Sequence, residues 1–264
     1  MMSAEVAVLM AAYNADSTIR AAVDSILAST VPCDLFVVDD GSRVPLTERL
    51  GPLRGVEIIR LERNHGLAAA LNIGLQRILP LNYKYVARMD ADDISYPHRF
   101  AAQIAFLEKY PGVGLVGSGV RFIDETTGAT VVHYVPPTDP AEICNALCFN
   151  NCFMHPSWLV RGDVLARVGP YSLDYPAAED YEFLRRISPH VALANMADFL
   201  VDRRISSGGI TVSKRRRQLI DRLKIQLKYR NLLEWRCWAG MAQTLMLFLI
   251  PGKLITVAKA TWHG

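Results

Sequence analysis

Apolar residues in the first half of the chain fall in short continuous runs. Residues 5–12 form an almost unbroken apolar run, which is typical of a strand buried on both faces. Residues 35–38, 56–61 and 83–89 predict three further strands, and residues 67–79 show the spacing of an amphipathic helix. Because strands alternate with helices, this pattern predicts an α/β (Rossmann-like) fold with a mostly parallel central sheet flanked by helices.

The second half of the chain is less regular. Residues 113–120 predict a strand, and a Thr127-Gly128 turn separates two short β segments. Gly112, Gly114 and Gly117 match the spacing of a dinucleotide-binding loop, but they lie inside this β-like run, whereas that loop must open a helix. We therefore expect a strand here and no dinucleotide cofactor. Helices are predicted at residues 140–147, 162–168 and 179–187.

Charge is divided unevenly along the 264-residue chain. Residues 1–202 contain 16 Lys and Arg against 24 Asp and Glu, whereas residues 203–236 contain 11 against 2. A basic patch of this kind requires an anionic partner, either a membrane surface or nucleic acid. No nucleic-acid recognition motif accompanies the basic stretch, so we do not expect nucleic acid as the partner.

The C-terminal part of the chain predicts a helical tail. A basic amphipathic helix begins near residue 213, and Trp235 and Trp238 precede an apolar stretch at residues 239–250. That stretch is too short to predict a membrane span, but cations, tryptophans and apolar residues in this order favour an anchor on an anionic membrane surface. Packing on the body or on a second subunit is the alternative. We predict a globular domain at residues 1–211 and a membrane-associating tail at residues 212–264.

Cysteine usage and the N-terminus indicate a cytoplasmic protein. No basic, apolar and small-residue signal pattern opens the chain, and the five cysteines are an odd number, so reduced thiols are expected. Cys144, Cys148 and Cys152 share one face of a predicted helix, with His155 nearby. They are either buried structural thiols, as is common, or ligands of a metal or cluster.

Polar residues follow each of the predicted strands. They are Tyr13-Asn14, Asp39-Asp40, Asn64-His65-Gly66 and the run from Asp90 to Asp93. In doubly wound sheets, ligands bind outside the carboxyl ends of the strands. The sequence therefore predicts one cleft lined by carboxylates.

The acidic run after the fourth strand is the strongest candidate for a metal site. Asp90, Asp92 and Asp93 place three carboxylates within four residues, and hard oxygen ligands on a short loop suit Mn²⁺ or Mg²⁺. We predict Asp92 as the direct ligand, with Asp90 acting through water or the ribose of a bound nucleotide. Such a metal would neutralise a departing diphosphate.

Six segments in a fixed order resemble the family 2 glycosyltransferases of bacterial polysaccharide and lipopolysaccharide synthesis, which have the GT-A fold. The resemblance implies inverting transfer of a sugar from a nucleotide-diphosphate donor, a UDP-sugar, to a glycan or lipid-linked acceptor at the inner face of the cell membrane. The segments are AAYN (11–14), VVDDGS (37–42), RNHGLAAALNIGL (63–75), YVARMDADDISYPHRF (85–100), HPSWLVR (155–161) and AEDYEFLRRI (178–187).

The resemblance also implies a set of donor-binding residues. The base and ribose would contact Ala11, Tyr13 and Asp40, with Asp39 beside them; capping of the Gly41-Ser42 turn is the alternative role for Asp39. Asn64 and Gly66 would form the loop against the ribose and diphosphate. Arg88 would pair either with the acidic run or with a phosphate.

Catalysis in similar enzymes requires a general base, and the resemblance assigns this role to Asp180, with Glu179 contacting sugar hydroxyls. Two acids that complement the dipole of a helix beginning here are the alternative. The family often has a histidine that contacts the metal or the diphosphate, and Ser206 stands at that position. Arg204 is retained and would contact the phosphates, while His155 or Arg203 would replace the histidine.

Two other functions compete with glycosyl transfer. A sugar nucleotidyltransferase would share a similar sheet and acidic site, but it should have a Gly-rich loop with Arg and Lys after its first strand, which AAYNADS lacks. A non-catalytic nucleotide-binding scaffold would be expected to lose Asp92 or Asp180, and both are present.

Overall fold

A computed structural model describes residues 4–205 and 212–250 of the chain. Within these ranges the strands are β1 (Val6–Ala12), β2 (Cys33–Asp39), β3 (Val56–Arg60), β4 (Tyr85–Asp90), β5 (Ile94–Ser95), β6 (Val113–Asp124), β7 (Thr130–Tyr134), β8 (Leu159–Arg161) and β9 (Ala192–Ile205). The helices are α1 (Ile19–Leu27), α2 (Leu46–Leu50), α3 (Leu67–Ile78), α4 (Arg99–Lys109), α5 (Pro140–Phe149), α6 (Gly162–Val168), α7 (Glu179–Ile187), α8 (Val212–Lys228) and α9 (Trp235–Leu249).

The strands form one mixed sheet in the order β3-β2-β1-β4-β8-β6-β9-β5, and β7 pairs with β6 at the side. The four strands predicted from the first half are parallel to their neighbours, as expected. Beyond β4 the direction changes, because β8 is antiparallel to both β4 and β6, whereas β6 and β9 are parallel. The parallel half therefore carries the strand ends that were predicted to line the cleft.

Helices cover both faces of the sheet, which explains the unbroken apolar run of β1. Val8 and Met10 pack with α1, α2 and α4 on one face, while Ala7 and Leu9 pack with α3 and α7 on the other. Each of these four side chains is at most 2% exposed. A strand buried on both faces cannot show the alternation of a half-exposed strand.

Strand β6 settles the interpretation of the glycines at positions 112, 114 and 117. Gly114 and Gly117 lie within β6, and Gly112 directly precedes it, so the strand prediction is confirmed. The strand continues to Asp124, whose carboxylate accepts hydrogen bonds from the backbone N–H groups of Thr126 and Thr127. This turn leads into β7, as predicted from Thr127-Gly128.

The helices α8 and α9 pack on the body of the protein. Ile225 is 0% exposed, and the carboxylate of Asp221 accepts a hydrogen bond from the backbone of Ala177 before α7. Gln226 donates to the carbonyls of Cys148 and Phe149 at the end of α5. A Cβ on Gly240 would come within 2.1 Å of the Cys148 carbonyl, so α9 needs glycine to approach α5 this closely.

The apolar stripe predicted in the tail is divided between two environments. Leu219 is buried against the body, whereas Leu232 and Leu233 are 62% and 96% exposed. No helix in residues 4–205 and 212–250 has the length and apolar character needed to cross a membrane. Predictions for Ser206 and for residues 251–264 lie outside the described residues.

Candidate active site

A polar cleft of about 260 Å³ lies at the carboxyl ends of β1 and β4. The parallel register brings these ends together, since Ala11 lies beside Asp90 and Ala12 beside Asp39. The cleft is lined by residues 11–15, Ser17, Thr18 and residues 90–92. The structure thus brings the predicted Ala11, Tyr13, Asp90 and Asp92 to one cavity.

Asp40 holds the loop that follows β3. Its carboxylate oxygens accept hydrogen bonds from the Nδ2 of Asn64 at 2.9 Å and from the backbone N–H groups of His65 and Gly66 at 2.7 and 2.9 Å. Gly66 has a φ of +90°, which only glycine adopts without strain. Asp40, Asn64 and Gly66, three predicted donor-binding residues, therefore form one hydrogen-bonded unit.

Asp39 is turned away from the cleft. It is 0% exposed, and it accepts hydrogen bonds from the backbone N–H groups of Ser42 and Leu46 and forms an ion pair with Arg60. Burial alone would raise its pKa, but these donors lower it overall. This geometry corresponds to the alternative stated above, in which Asp39 caps the turn at Gly41-Ser42 and the start of α2.

The acidic run brings three carboxylates to one point. Asp90, Asp92 and Asp93 each offer an oxygen, and these atoms lie within 4.8 Å of one another. Burial, together with repulsion from Asp90 and Asp92, raises the pKa of Asp93 to about 8. The pKa of Asp92 is raised by burial and by Asp90, although the side chain is largely exposed at the cleft surface. This set of donors fits a hard divalent cation.

The sequence predicts no role for Asp93 apart from its membership of the acidic run. Its Oδ1 accepts a hydrogen bond from the backbone N–H of Arg204 at 3.1 Å, which ties the acidic run to β9. Its Oδ2 is buried and has no hydrogen-bond partner among the described residues. An unpartnered buried carboxylate oxygen in this cluster is a further observation that fits a cation ligand.

Arg88 is the buried cation of the site. Its guanidinium forms an ion pair with Asp90, and the residue is 4% exposed. Burial lowers the pKa of Arg88, but Asp90 and Tyr171 more than offset this, and the net pKa is raised. Of the two roles left open for Arg88, the structure shows the pairing with the acidic run.

Glu179 and Asp180 begin α7, and both interact with the charge of Arg88. Burial and the charge of Asp180 raise the pKa of Glu179 to about 7. The pKa of Asp180 is also raised by burial, while hydrogen bonds from the Tyr181 backbone and from Asn151 oppose the shift. The Nδ2 of Asn151 donates to Asp180 at 2.6 Å. Asn151 was not foreseen, because no sequence pattern connects the end of α5 to the start of α7.

His155 and the nearby cysteines form no additional metal cluster within the described residues. His155 is 8% exposed, its Nε2 lies 2.9 Å from the hydroxyl of Tyr171, and burial holds its pKa well below the usual value. Cys148 contacts Cys237 of α9, with 3.2 Å between the sulfur atoms, whereas Cys144 is exposed. Cys148 and Cys152 are therefore buried thiols, as in the structural alternative, whereas Cys144 is not.

Solved glycosyltransferase structures share this fold. S. aureus TarS in complex with UDP-GlcNAc is similar with a TM-score of 0.68 at 16% identity, over 91% of this chain and 71% of that chain. The mannosyltransferase PcManGT from Pyrobaculum calidifontis, in complex with GDP-Man and Mn²⁺, gives 0.65 at 17% identity over 99% and 81%. The molecule thus has the GT-A fold with an acidic cleft at the ends of its parallel strands.

Sequence comparison places this fold in one family. Residues 7–166 match the model of glycosyl transferase family 2. The amylovoran biosynthesis glycosyltransferase AmsE of Erwinia amylovora is 32% identical over 251 residues, which are 92% of this chain and 91% of that protein. The chain belongs to glycosyl transferase family 2, and it is an enzyme of that class.

Two further relatives are similar over shorter regions. A UDP-Gal:alpha-D-GlcNAc-diphosphoundecaprenol beta-1,3-galactosyltransferase of Escherichia coli is 30% identical over 75% of this chain and 74% of its own length. A Haemophilus influenzae glycosyltransferase is 32% identical over 76% of this chain, but the match spans only 65% of that protein. These names describe the relatives, and the sugar and the acceptor of this chain are treated below.

Proposed function

We propose that this enzyme transfers a sugar from a UDP-sugar to an acceptor hydroxyl, with inversion at the anomeric carbon. The observation that carries the proposal is the juxtaposition of two carboxylate groups around one buried cation. Arg88 forms an ion pair with Asp90 of the acidic run, and its charge also opposes the rise in the pKa values of Asp92, Glu179 and Asp180. The acidic run suits binding of the donor diphosphate through a cation, and the Glu179-Asp180 pair suits the role of general base.

The nucleoside would lie between the ends of β1 and β2. Tyr13 is 52% exposed at the cleft and can cover a base, and the Ala11 backbone lines the same cavity. Asp40 would act through the loop that it holds, keeping Asn64 and Gly66 against the ribose, since its carboxylate oxygens already accept three hydrogen bonds. Asp39 would hold the turn after β2, since its carboxylate is occupied by Ser42, Leu46 and Arg60.

A divalent cation, Mn²⁺ or Mg²⁺, would be held by Asp92 with Asp90, and Asp93 completes the oxygen cluster. When bound, such a cation would neutralise charge on the departing diphosphate. Arg88 orients Asp90 through their ion pair. The resemblance assigns a further phosphate contact to Arg204.

Asp180 would act as the general base. It would take the proton of the acceptor hydroxyl while that oxygen attacks the anomeric carbon from the face opposite the diphosphate. The new carbon–oxygen bond forms as the bond to the diphosphate breaks, and the bonding electrons leave with the diphosphate. Asn151 holds the carboxylate in place, and Glu179 beside it would contact sugar hydroxyls.

The acceptor we propose is a glycan or lipid-linked saccharide of a surface polysaccharide. The support is the naming of relatives that act in amylovoran synthesis and on a diphosphoundecaprenol-linked sugar. An acceptor of this kind requires access to the inner face of the cytoplasmic membrane. The proposed division of labour is a catalytic domain at residues 1–211 and a membrane-contacting part at residues 212–264.

The outward face of α9 supports this location. Trp235, Trp238, Leu245, Met246 and Leu249 are between 49% and 83% exposed, while Cys237, Gly240, Met241 and Thr244 face the body. An exposed apolar helix face with tryptophans at one end, next to the basic α8, is typical of contact with an anionic bilayer. We propose a peripheral attachment through α9.

The first experiment is a screen of UDP-, GDP- and dTDP-sugars by differential scanning fluorimetry with and without Mn²⁺, followed by a donor hydrolysis assay. We expect a UDP-sugar to raise Tm in a metal-dependent manner, because a ligand that binds the folded state stabilises it. Stabilisation of the protein by one donor, together with slow hydrolysis of that donor, would support glycosyl transfer. Nucleoside triphosphate turnover with sugar phosphates would instead support the nucleotidyltransferase alternative, and binding without turnover would support a scaffold.

A further inference from the structure

Arg203 has a side chain that the fold itself does not use for an ion pair. It lies near the end of β9, half-buried, with Nη1 3.9 Å from the sulfur of Met154 and its guanidinium 5.8 Å from the centroid of the Phe122 ring. In the described part of the chain these are its contacts, and no carboxylate pairs with it. By contrast, Arg88 pairs with Asp90 and Arg121 pairs with Asp202.

The backbone on both sides of Arg203 is fixed. Asp202 accepts two hydrogen bonds from Arg121 at 2.8 Å and one from the hydroxyl of Tyr96 at 2.9 Å. The N–H of Arg204 donates to Asp93. The backbone at Arg203 is therefore held beside the acidic run, so little backbone freedom remains to be lost there when a ligand binds.

The charge of Arg203 reaches both carboxylate groups of the active site. Burial raises the pKa values of Asp92, Asp93 and Asp180, and Arg203 lowers all three. The geometry agrees: the Arg203 side chain contacts Met154, which follows Asn151, the partner of Asp180, closely in sequence. The N–H of the next residue, Arg204, bonds Asp93, so Arg203 lies near both groups. The donor diphosphate, which bridges the cation cluster and the reacting sugar, would occupy the same place.

Arg204 faces away from this position. Successive side chains of a strand point to opposite faces of the sheet, so Arg203 and Arg204 cannot both enter the cleft. Arg203 shares its face with its cross-strand partner Phe122, as their ring contact shows.

We propose that Arg203, rather than Arg204, binds the diphosphate of the nucleotide donor and stabilises the negative charge that develops on it as the sugar leaves. This inference rests on the proposed function. A guanidinium fork can donate two hydrogen bonds to phosphate oxygens, and a cation fixed in advance needs no reorganisation in the transition state. Arg203 would thereby take the part of the histidine that the family pattern has at Ser206.

The test compares UDP with UMP, which lacks the second phosphate. Calorimetry with Mn²⁺ would measure both affinities for the full-length protein and for Arg203→Gln, Arg203→Lys and Arg204→Gln. We expect Arg203→Gln to weaken UDP binding by about 10- to 100-fold, the value of a lost charge-assisted hydrogen-bonded pair, and to change UMP binding less than about threefold. Arg203→Lys should recover part of the loss, because it restores the charge without the fork.

Controls separate a binding role from a structural one. Arg167→Gln removes one positive charge from an exposed site on α6 and should leave both affinities unchanged. Equal losses for UDP and UMP, or a fall in Tm that accounts for the loss, would overturn the proposal, as would a selective loss in Arg204→Gln instead. If the unaltered protein binds none of UDP, GDP and dTDP, the proposed function itself fails.

Discussion

The start of α7 concentrates two acids where the helix N-terminus and Arg88 favour negative charge, while burial opposes it. The balance raises the pKa values of both Glu179 and Asp180, and Glu179 reaches about 7. A carboxylate that is ionised at neutral pH and still binds a proton well is what a general base requires. The same environment that makes this base effective also makes the rate sensitive to acid.

The role of Asp180 can be tested by Asp180→Asn. The amide keeps the shape and can still contact Asn151, but it cannot take a proton, so we expect kcat to fall by about 10²- to 10⁴-fold with donor affinity unchanged. Steady-state kinetics and UDP calorimetry measure the two quantities.

Glu182→Gln, on the same helix, is not a suitable control, because Glu182 pairs with Arg186. Ser188→Ala, at the end of α7, is the better match. Normal turnover in Asp180→Asn would assign the base elsewhere.

The pH dependence of the rate gives a second test. Because the pKa of Asp180 is raised, kcat/KM should fall as the pH drops through a midpoint above the ordinary value of 3.8 for aspartate. Glu179→Gln should move that midpoint to lower pH, since it removes a neighbouring negative charge. The free energy of unfolding has the opposite pH dependence. The raised pKa of Glu179 stabilises the folded state fully below pH 4.5, and this stabilisation is lost as the pH rises to about 7. A pH profile unchanged by Glu179→Gln would argue against coupling of the two acids.

At the residue scale, the sequence predicts which charged residues belong to the site, but it does not predict which partners they bind. Asp90 and Asp92 follow a recognisable strand, and their convergence was foreseen from that position. Asp39 and Asp40 are adjacent, yet one is occupied by Arg60 and the turn, and the other by the loop after β3. Which partner each one meets depends on contacts more than 20 residues away in sequence, and these are set only when the sheet forms.

Among the elements, α9 carries the membrane hypothesis. We predict that Leu245→Glu with Leu249→Glu will weaken sedimentation with phosphatidylglycerol-containing vesicles by about tenfold or more, because each buried leucine contributes roughly 1.5–3 kcal/mol. The two leucines are 52% and 83% exposed, so the fold should tolerate the change. Leu81→Glu, an exposed leucine outside α9, is the matched control. Equal sedimentation of the double variant and the control would refute attachment through this face.

The tail shows why periodicity alone did not locate this surface. The basic amphipathic helix was predicted to contact a membrane surface, but Leu219 and Ile225 of α8 pack on the body. Both a membrane and a protein core select apolar residues at helical spacing, so the two environments look alike in a sequence. The distinguishing feature is polar: Asp221 and Gln226 are buried and bind backbone groups near α7 and α5, which lipid could not supply.

On the scale of the whole molecule, α8 and α9 are part of the folded body. A chain that ends at residue 211 would lose α8 and α9 and expose the surfaces of α5 and α7 that they cover. We expect the truncated chain to have a much lower Tm, because several fully buried side chains at roughly 1.5–3 kcal/mol each approach the whole stability of a domain. Thermal unfolding checks this. A truncated chain with unchanged Tm would show that α8 and α9 only rest on the surface.

The fold as a whole was the most predictable level. Four parallel strands and the cleft at their ends follow from apolar runs punctuated by polar residues. The antiparallel insertion of β8 between β4 and β6 did not, because Leu159–Arg161 is too short to show a period. The chain that follows β8 reaches α7, whose Glu179 interacts with the charge of Asp90 at the cleft.

The close approach at Gly240 has a geometrical consequence for the acceptor. Helix α9 touches the end of α5, and the chain leaving α5 reaches Asn151, which holds Asp180. With α9 lying in the membrane surface, the base would stand at a constant height above the lipid. The enzyme would then select acceptors by length. An acceptor of the right length would place its hydroxyl at the height of the base, whereas the hydroxyls of shorter or longer glycans would be out of reach.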